Sequence, residues 1–419
     1  MKNLLIQNVT IIDKQSKHHH KAADVLIVDG MISEIGKIAV QKDYEIINGA
    51  GQYLSGGFFD LNVNFGEPGL ETKEDIESGS KAAMAGGITG LALMPNTRPP
   101  MHTKSEISYL VNRSTGNLVD IFPLGCISQN REGKELAEHY DMKLAGALAF
   151  TDGDRSLSDA GLMSRALLYS KGFNGLIMSY PEDKGIAAEG KMNEGITSTL
   201  LGMKGNPTLA EELIVSRDLY LAEYNDSPIH FSTISSERSV ELIRQARLKG
   251  VKVTCDVAAH HLVFTDSSLS GFESSYKVKP PLRTDADVKA LLAGLKDGTI
   301  DAIVSQHTPH EIEFKDVEFE IALNGIIGLQ TLLPMALKAG LSAELIVEKL
   351  VVNPRLLLKI PVPEISAGKP ANLVMFDPQA EWEYSAAVNY SKCSNTPLLN
   401  QTLKGRVNLV INNSKIFLS

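Results

Sequence analysis

The sequence predicts an α/β protein that consists of a (β/α)8 TIM-like barrel and a small β domain built from both ends of the chain. Eight short apolar segments alternate with amphipathic helical segments between residues 58 and 304. This alternation is typical of a barrel in which each buried parallel strand is followed by a helix. Short strand-like segments occupy both ends of the chain, and 419 residues exceed the length of one average domain.

The strand-like segments at the two ends predict one composite β domain. They cover residues 4–12, 23–28, 31–35, 44–48, 371–376, 405–411 and 415–418. Asp29 and Gly30 form the Asp-Gly pair that favours a tight hairpin turn. Neither end alone has enough strands to bury a core. We therefore expect a β-sandwich of residues 1–53 and 366–419, with the barrel at residues 54–365 inserted between them.

The eight predicted barrel strands are rich in Val, Ile, Leu, Phe and Ala, as strands buried on both faces require. They cover residues 58–63, 90–94, 120–124, 145–150, 175–178, 228–231, 251–257 and 301–304. Helices are predicted between most of them, for example at residues 237–249, where Ser235 and Ser236 offer amino-terminal caps and Gly250 ends the helix. A doubly wound open sheet is the alternative, but no Gly-rich phosphate-binding motif follows the first strand.

Composition and charge exclude several classes of protein. The chain carries 41 Lys and Arg against 50 Asp and Glu, a net charge of −9, and has no basic run. Neither nucleic acid nor an anionic membrane surface is therefore an expected partner. No segment approaches 18 consecutive apolar residues, and the amino terminus lacks the apolar core of a signal peptide. Three well-separated cysteines indicate reduced thiols, so we expect a soluble cytoplasmic protein.

Polar segments follow the predicted strands, at the end of a barrel where active sites lie. They are residues 60–69, 94–97, 149–153, 180–183, 230–235, 259–262, 279–283 and 305–310. In this order, the segments resemble the dihydroorotases of the amidohydrolase superfamily, in the type that associates with aspartate transcarbamoylase. Residues 368–378 and 391–397 resemble the family's return into its β domain and its carboxyl-terminal signature. The resemblance covers essentially the whole chain and implies the amidohydrolase fold and a place in pyrimidine biosynthesis.

The resemblance also implies where the family's zinc ligands and general base would lie, and most of those residues are replaced. The family's His-x-His pair corresponds to Asn62 and Asn64. The two later ligand histidines correspond to Tyr180 and Thr233. The strand-eight Asp, which binds metal and acts as general base, corresponds to Gln306. Among the metal-binding positions, only the strand-four carboxylate is retained, as Asp152.

These replacements predict a degenerate site without zinc. Zinc prefers imidazole, thiolate or carboxylate ligands, whereas Asn and Gln offer neutral amide oxygens, and Tyr and Thr are poor ligands unless deprotonated. Gln306 has no titratable proton acceptor. We therefore expect no metal, no other cofactor and no catalytic residue. Because buried polar groups need partners, we expect Asn62, Asn64 and Asp152 to form a hydrogen-bonded network in the former metal site.

The positions that bind substrate in the family are partly retained. The Arg that helps to hold the substrate carboxylate corresponds to Gly66, and an Asn before Pro-Pro-Leu-Arg corresponds to Lys279. Asn96 is kept, and His310 matches a family His near the substrate. A pocket with Asn96, Lys279 and His310 would still attract a small carboxylate.

Three functions are consistent with this pattern. The favoured one is a non-catalytic dihydroorotase homologue, a homodimer that acts as a structural or regulatory partner of the catalytic subunit of aspartate transcarbamoylase. The second is an active cyclic-amide hydrolase of the dihydroorotase, allantoinase or hydantoinase kind. Its rebuilt metal site would need Asp152 together with other groups, of which the candidates are His260, His307 and His310. The third is a sensor that binds an anionic pyrimidine precursor without turning it over.

Overall fold

The strands of the protein divide into a β domain, a barrel and one small two-stranded sheet. The structure is a computed structural model that describes residues 3–419. Its strands are β1 (Leu4–Ile11), β2 (Ala22–Val28), β3 (Met31–Gly36), β4 (Glu45–Asn48), β5 (Tyr53–Gly56), β6 (Phe58–Val63), β7 (Ile88–Leu93), β8 (Asp120–Pro123), β9 (Ile177–Ser179), β10 (Met192–Asn193), β11 (Gly205–Asn206), β12 (Ile229–Phe231), β13 (Val253–Ala258), β14 (Ala302–Val304), β15 (Leu373–Tyr384), β16 (Gln401–Asn412) and β17 (Lys415–Leu418).

Most of the helices lie between the barrel strands. They are α1 (Ile76–Ala85), α2 (Lys104–Ser114), α3 (His139–Ala145), α4 (Ala160–Lys171), α5 (Lys184–Ala187), α6 (Ile196–Leu201), α7 (Leu209–Asn225), α8 (Glu237–Leu248), α9 (Asp285–Asp297), α10 (Leu332–Lys338), α11 (Ala343–Val347) and α12 (Asn353–Leu358). The predicted cap of α8 is confirmed, because the Ser236 hydroxyl accepts a hydrogen bond from the Ser239 amide. Within residues 3–419, none of the helices combines the length and the hydropathy that a membrane crossing requires.

Both ends of the chain contribute strands to one eight-stranded sheet, in the order β17-β16-β15-β5-β1-β2-β3, with β4 also paired to β1. The predicted composite of the two termini is therefore present. Its strands share one hydrogen-bonded sheet, so a two-sheet sandwich is not confirmed, and the domain boundaries remain a prediction. The hairpin turn at Asp29 and Gly30 is confirmed, because both residues have the positive φ of a type I′ turn.

The barrel strands are parallel and form two ladders, one of β6, β7 and β8 and one of β9, β12, β13 and β14. Single parallel bridges join Val63 to His307, and Phe150 to Gly125 and Ile177. Continuous ladders therefore do not close the barrel in the described residues. All six residues of β6 and of β7 are buried, as the prediction of strands covered on both faces requires.

The predicted strand at residues 145–150 is largely wrong. Ala145 ends α3, and Gly146 follows it with the left-handed φ of +116° that commonly caps a helix. Only Phe150 makes strand bridges, although its amide donates to the Leu176 carbonyl and its own carbonyl accepts from Met178. The segment still lies between β8 and β9, but the helix occupies the residues that an additional turn of strand would need.

Glu74 is a buried carboxylate that joins the barrel mouth to the carboxyl-terminal segment. It accepts hydrogen bonds from the hydroxyls of Ser78 and Ser391 and from the Lys392 amide at 3.2 Å, and His307 Nε2 lies 3.4 Å from Oε2. Burial alone would raise the pKa of Glu74, but the hydrogen bonds and His307 hold it below its ordinary value. The ionised carboxylate therefore fixes the start of α1, the loop after β14 and residues 391–392 against one another.

We predict that Glu74→Gln lowers the free energy of unfolding by about 3 kcal/mol, because an amide turns one acceptor into a donor that faces other donors. Urea unfolding followed by circular dichroism measures the change. Glu71→Gln, in the same loop but exposed, is the matched control and should change the midpoint little. Equal midpoints for the two variants would contradict the role given to Glu74.

Candidate functional site

The carboxyl ends of the barrel strands surround a cavity of about 360 Å³. Its walls come mainly from the loops after β6, β7 and β14 and from the segment around residues 278–279. Most of the predicted site residues line the cavity, namely Asn62, Asn64, Asn96, Tyr180, Lys279, Gln306 and His310. The other two predicted residues, Asp152 and Thr233, are not part of its lining.

Asn62 and Thr233, which correspond to two ligand histidines of the family, bond to each other. Nδ2 of Asn62 donates to Oγ1 of Thr233 at 3.2 Å, and both residues are buried. The Thr233 amide donates to Oδ1 of Asp256 at 2.6 Å, and Oδ2 of Asp256 lies 2.9 Å from Nε2 of His230. A fully buried His-Asp pair therefore fixes the backbone at Thr233.

Two of the replaced ligand positions have left-handed backbone. φ is +57° at Thr233 and +51° at Gln306. This conformation is strained for a β-branched residue such as Thr, whereas Asn, Asp and His adopt it more readily. The resemblance places a His and an Asp at these positions. The backbone therefore keeps conformations that suit the family's residue types better than the residues present.

Asn64 is held by amide and hydroxyl groups of the neighbouring loops. Its Oδ1 accepts a hydrogen bond from Asn96 Nδ2 at 2.7 Å, and its Nδ2 lies 3.0 Å from Thr308 Oγ1 and 3.1 Å from the His307 carbonyl. Three well-placed partners leave Asn64 little freedom to turn toward a metal ion. The predicted bond between Asn62 and Asn64 is not formed.

The predicted place of Asp152 in the polar network is wrong. Its Oδ1 accepts from the backbone amides of Ile127 and Ser128 at 2.9 and 3.0 Å, and Oδ2 accepts from the Ser128 hydroxyl. Burial raises the pKa of this carboxyl, and these hydrogen bonds oppose the rise. Asp152 therefore organises the loop after β8 from behind the cavity wall and does not reach Asn62 or Asn64.

Charged side chains that the sequence did not reveal lie at one side of the cavity. Arg131 pairs with Asp154, and Lys279 Nζ lies 2.9 Å from Glu182 Oε1 and 5.3 Å from the centre of the Tyr180 ring. Desolvation alone would raise the pKa of Asp154, but Arg131 and Lys279 hold this pKa below its ordinary value. These two cations are therefore neutralised by carboxylates. Arg131 and Asp154 were missed because they lie in two separate loops, one after β8 and one after Asp152, which only the fold brings together at the cavity.

Gln306 and the neighbouring histidines serve structural contacts. Nε2 of Gln306 donates to the Lys279 carbonyl at 2.7 Å. His260 and His261 are buried, and burial lowers the pKa of both imidazoles, that of His261 to about 4. His261 Nε2 donates to the Pro280 carbonyl at 3.1 Å. His307 accepts from the Gly328 amide at Nδ1 and faces Glu74 through Nε2.

Two buried lysines hold the roof of the cavity, the segment of residues 319–325. Lys277 Nζ donates to the carbonyls of Phe319, Glu320 and Ala322, and Lys315 Nζ donates to those of Leu323 and Gly325 at 2.9 and 3.1 Å. Both lysines are less than 6% exposed. These hydrogen bonds therefore fix the roof segment from its buried side.

Within residues 3–419, three buried polar atoms of the residues that line the cavity have no hydrogen-bond partner. They are Asn96 Oδ1, Tyr180 Oη and Ser232 Oγ. Buried polar groups are usually satisfied, so such atoms mark places where a ligand or water completes the set. A serine hydroxyl such as that of Ser232 can act as a nucleophile when a base and an oxyanion hole lie beside it. Neither accompanies Ser232 in the described residues, so we assign its hydroxyl a hydrogen-bonding role.

The side chains present do not fit a zinc ion. Asn62, Asn64 and Gln306 are neutral amides already bonded to protein groups, and Asp152 faces away. Burial raises the pKa of Tyr180 well above its ordinary value, so its phenolate is disfavoured. Across residues 3–419, no group of three or more His, Cys, Asp or Glu side chains is arranged to hold a metal ion.

Comparison with solved structures defines the fold. The L-hydantoinase (dihydropyrimidinase) from Arthrobacter aurescens has a TM-score of 0.86 at 24% sequence identity, with 99% of this chain and 96% of that chain covered. The dihydropyrimidinase from Brevibacillus agri gives a TM-score of 0.81 at 20% identity, with 99% and 95% covered. The α/β chain therefore has the TIM-barrel fold of these hydantoinases and dihydropyrimidinases.

Sequence comparison is more specific. A family profile described as "Dihydro-orotase-like" matches residues 51–239. A protein named dihydroorotase from Geotalea daltonii is 43% identical, with 99% of each chain covered. Another protein of that name, from Ruminiclostridium cellulolyticum, is 41% identical, with 96% of this chain and 95% of the relative covered. The chain belongs to the dihydroorotase family.

We predict that stability falls as the pH drops from about 6.5 toward 4. Burial, with repulsion from Lys73, lowers the pKa of His310 to about 4, so the folded protein keeps this imidazole neutral while the unfolded chain protonates it near pH 6.5. Burial does the same to His139 and His261. The unfolded state binds more protons, and stability present at pH 7 is lost on acidification.

His310→Gln tests this prediction while retaining a donor for the Asn324 carbonyl. The free energy of unfolding in urea, measured at pH 7, 6 and 5, should depend on pH by up to about 1.4 kcal/mol per pH unit less than in the wild type. Identical slopes for the two proteins would show that folding does not lower the pKa of His310.

Proposed function

We propose that the protein binds a small carboxylated ligand of the dihydroorotate type in the barrel-mouth cavity and does not hydrolyse it through a zinc-bound hydroxide. One observation carries the proposal. Four of the residues at the ligand positions are neutral groups bonded within the protein, namely Asn62, Asn64, Thr233 and Gln306. Three polar atoms of the cavity lining, one of them on Tyr180, have no partner in the described residues. Under this proposal, the site lacks the groups that hydrolysis needs but keeps polar groups that can bind a ligand.

The unpartnered atoms match the functional groups of a cyclic amide acid. Asn96 Oδ1 is an acceptor for a ring N–H, and the hydroxyls of Tyr180 and Ser232 can donate to ring carbonyl oxygens. Lys73, which lines the cavity and forms no salt bridge within residues 3–419, favours a carboxylate. A cavity of about 360 Å³ falls within the range of small-molecule sites.

Proton transfer is also unsupported at this site. Gln306 occupies the position of the family's general base, and its amide nitrogen donates to the Lys279 carbonyl. An amide has no titratable proton acceptor at accessible pH. Asp154 and Glu182 are carboxylates of the cavity side, but Arg131 and Lys279 pair with them. Ring opening would need a general base, and both of these carboxylates are already paired with cations.

Catalytic hydrolysis of a cyclic amide is the second candidate, and the sequence comparison favours it. Full-length relatives that are more than 40% identical carry the name dihydroorotase. Such identity supports the same reaction in this chain if a metal site is rebuilt from groups such as Asp152, His260, His307 and His310. The two candidates differ in whether the protein takes up zinc.

The first experiment measures zinc and ligand binding on the same preparation. Protein purified without a tag, with and without dialysis against zinc, should contain less than about 0.1 equivalent of zinc by elemental analysis. Millimolar dihydroorotate should raise the unfolding temperature without being consumed, because a ligand that binds the native state stabilises it by mass action. About one equivalent of zinc together with turnover would establish the hydrolase instead.

A variant that restores the family's residues is the positive control for metal uptake. It combines Asn62→His, Asn64→His, Tyr180→His, Thr233→His and Gln306→Asp. The left-handed backbone at Thr233 and Gln306 suits the residues introduced there. We expect this variant to gain about one equivalent of zinc after the same dialysis. A folded variant that gains none would mean that these positions do not form a metal site.

We also propose, from the family resemblance, that the chain is a cytoplasmic homodimer and a structural or regulatory partner of the catalytic subunit of aspartate transcarbamoylase. Under this proposal, a chain that keeps its fold without its reaction is kept for its contacts. Light scattering coupled to gel filtration should then show one larger species when the two proteins are mixed. Separate elution at micromolar concentrations would refute the partnership and leave ligand binding untouched.

A further inference from the structure

Three basic side chains line the cavity, and their partners differ. Arg131 is paired with Asp154, and Lys279 with Glu182. Within residues 3–419, Lys73 has no carboxylate oxygen within 4 Å of its ammonium group. An ammonium group without a counter-ion, half-buried at a cavity wall, is the most favourable position in the site for an anionic ligand.

The only polar partner of the Lys73 ammonium in the described residues is a neutral imidazole. Lys73 Nζ lies 3.3 Å from His310 Nδ1, while His310 Nε2 donates to the Asn324 carbonyl at 2.9 Å. With Nε2 carrying the hydrogen, Nδ1 accepts from Lys73. One of the three ammonium donors is therefore used, and two remain for a ligand. Glu311 adds a nearby negative charge, but its Oε1 is held by the Thr72 hydroxyl at 2.7 Å.

Lys73 is placed there by the same loop that excludes a side chain at Gly66. The Gly66 amide donates to the Glu74 carbonyl, and the Leu70 amide donates to the Gly66 carbonyl, each at 2.7 Å. A Cβ atom on Gly66 would lie 1.8 Å from the Leu70 carbonyl oxygen. The position at which the resemblance implies a carboxylate-binding Arg is therefore closed, and the loop returns to the cavity wall at Lys73.

We propose that Lys73 selects carboxylated ligands by binding their carboxylate at the end of the cavity where Gly66 has no side chain. This inference rests on the proposed function and adds the residue that determines specificity. The ring of the ligand then lies toward Asn96, Tyr180 and Ser232, whose unpartnered atoms line the same cavity. The ammonium acts by charge and hydrogen bonding and takes no part in a chemical step.

The test compares two ligands that differ only in the carboxylate. Isothermal titration calorimetry measures the binding of dihydroorotate and of dihydrouracil to the wild type and to Lys73→Met. The wild type should prefer dihydroorotate, and Lys73→Met should weaken dihydroorotate binding by about 10- to 100-fold while leaving dihydrouracil binding unchanged. Lys73→Arg should recover most of the preference, because it keeps the positive charge.

Lys184→Met, which removes an exposed lysine outside the cavity, is the matched control and should keep the wild-type preference. Unchanged dihydrouracil binding and an unchanged circular dichroism spectrum show that Lys73→Met is folded. If the wild type binds dihydroorotate and Lys73→Met keeps the preference, the role of Lys73 is refuted while the proposed function stands. If the wild type binds neither compound, the proposed function itself fails, and the role of Lys73 fails with it.

Discussion

The buried carboxylate of Glu74 determines where the walls of the cavity lie, because segments far apart in the sequence meet at its two oxygens. The start of α1, the loop after β14 and the carboxyl-terminal residues Ser391 and Lys392 all donate to it or face it. A buried charge is tolerated only when its partners are in place, so these segments are fixed together. The neighbouring residue in the chain is Lys73, whose position at the cavity follows from this arrangement.

Hydrogen bonds between neutral side chains connect several positions at the barrel mouth. At two of the positions that the resemblance assigns to zinc ligands, Asn62 bonds to Thr233. At another, Asn64 bonds to Asn96 and Thr308. Each bond replaces a hydrogen bond to water and contributes little net stability. Apolar packing holds the barrel, with side chains such as Phe59, Leu61 and Met94 filling its interior.

Local signals in the sequence were sufficient for the hairpin at Asp29 and Gly30, because its backbone conformation depends on those two residues. The cap at Ser236 was equally local. The direction of the Asp152 side chain was not predictable, because its donors, Ile127 and Ser128, lie 24 or more residues earlier in the chain. The same limit applies to Arg131 and Asp154, the two cavity residues that the sequence did not reveal.

The prediction of a strand at residues 145–150 is largely wrong for a different reason. Its apolar residues suit a buried strand, but a helix that ends at Ala145 and turns at Gly146 buries them equally well. The resemblance was sufficient to identify which residues replace the family's ligands. The hydrogen-bond partners of those residues could not be predicted, because neutral amides bond to whichever group the fold brings within about 3 Å.

The closed loop at Gly66 means that a substitution alone cannot place there the arginine that the family resemblance implies. A single base change can return a charged side chain to position 66, but its first carbon would meet the Leu70 carbonyl oxygen. The backbone between Gly66 and Glu74 would have to open first, and with it the hydrogen bonds that close this loop. A charged side chain at position 66 therefore requires a different course of the backbone between Gly66 and Glu74, and not a substitution alone.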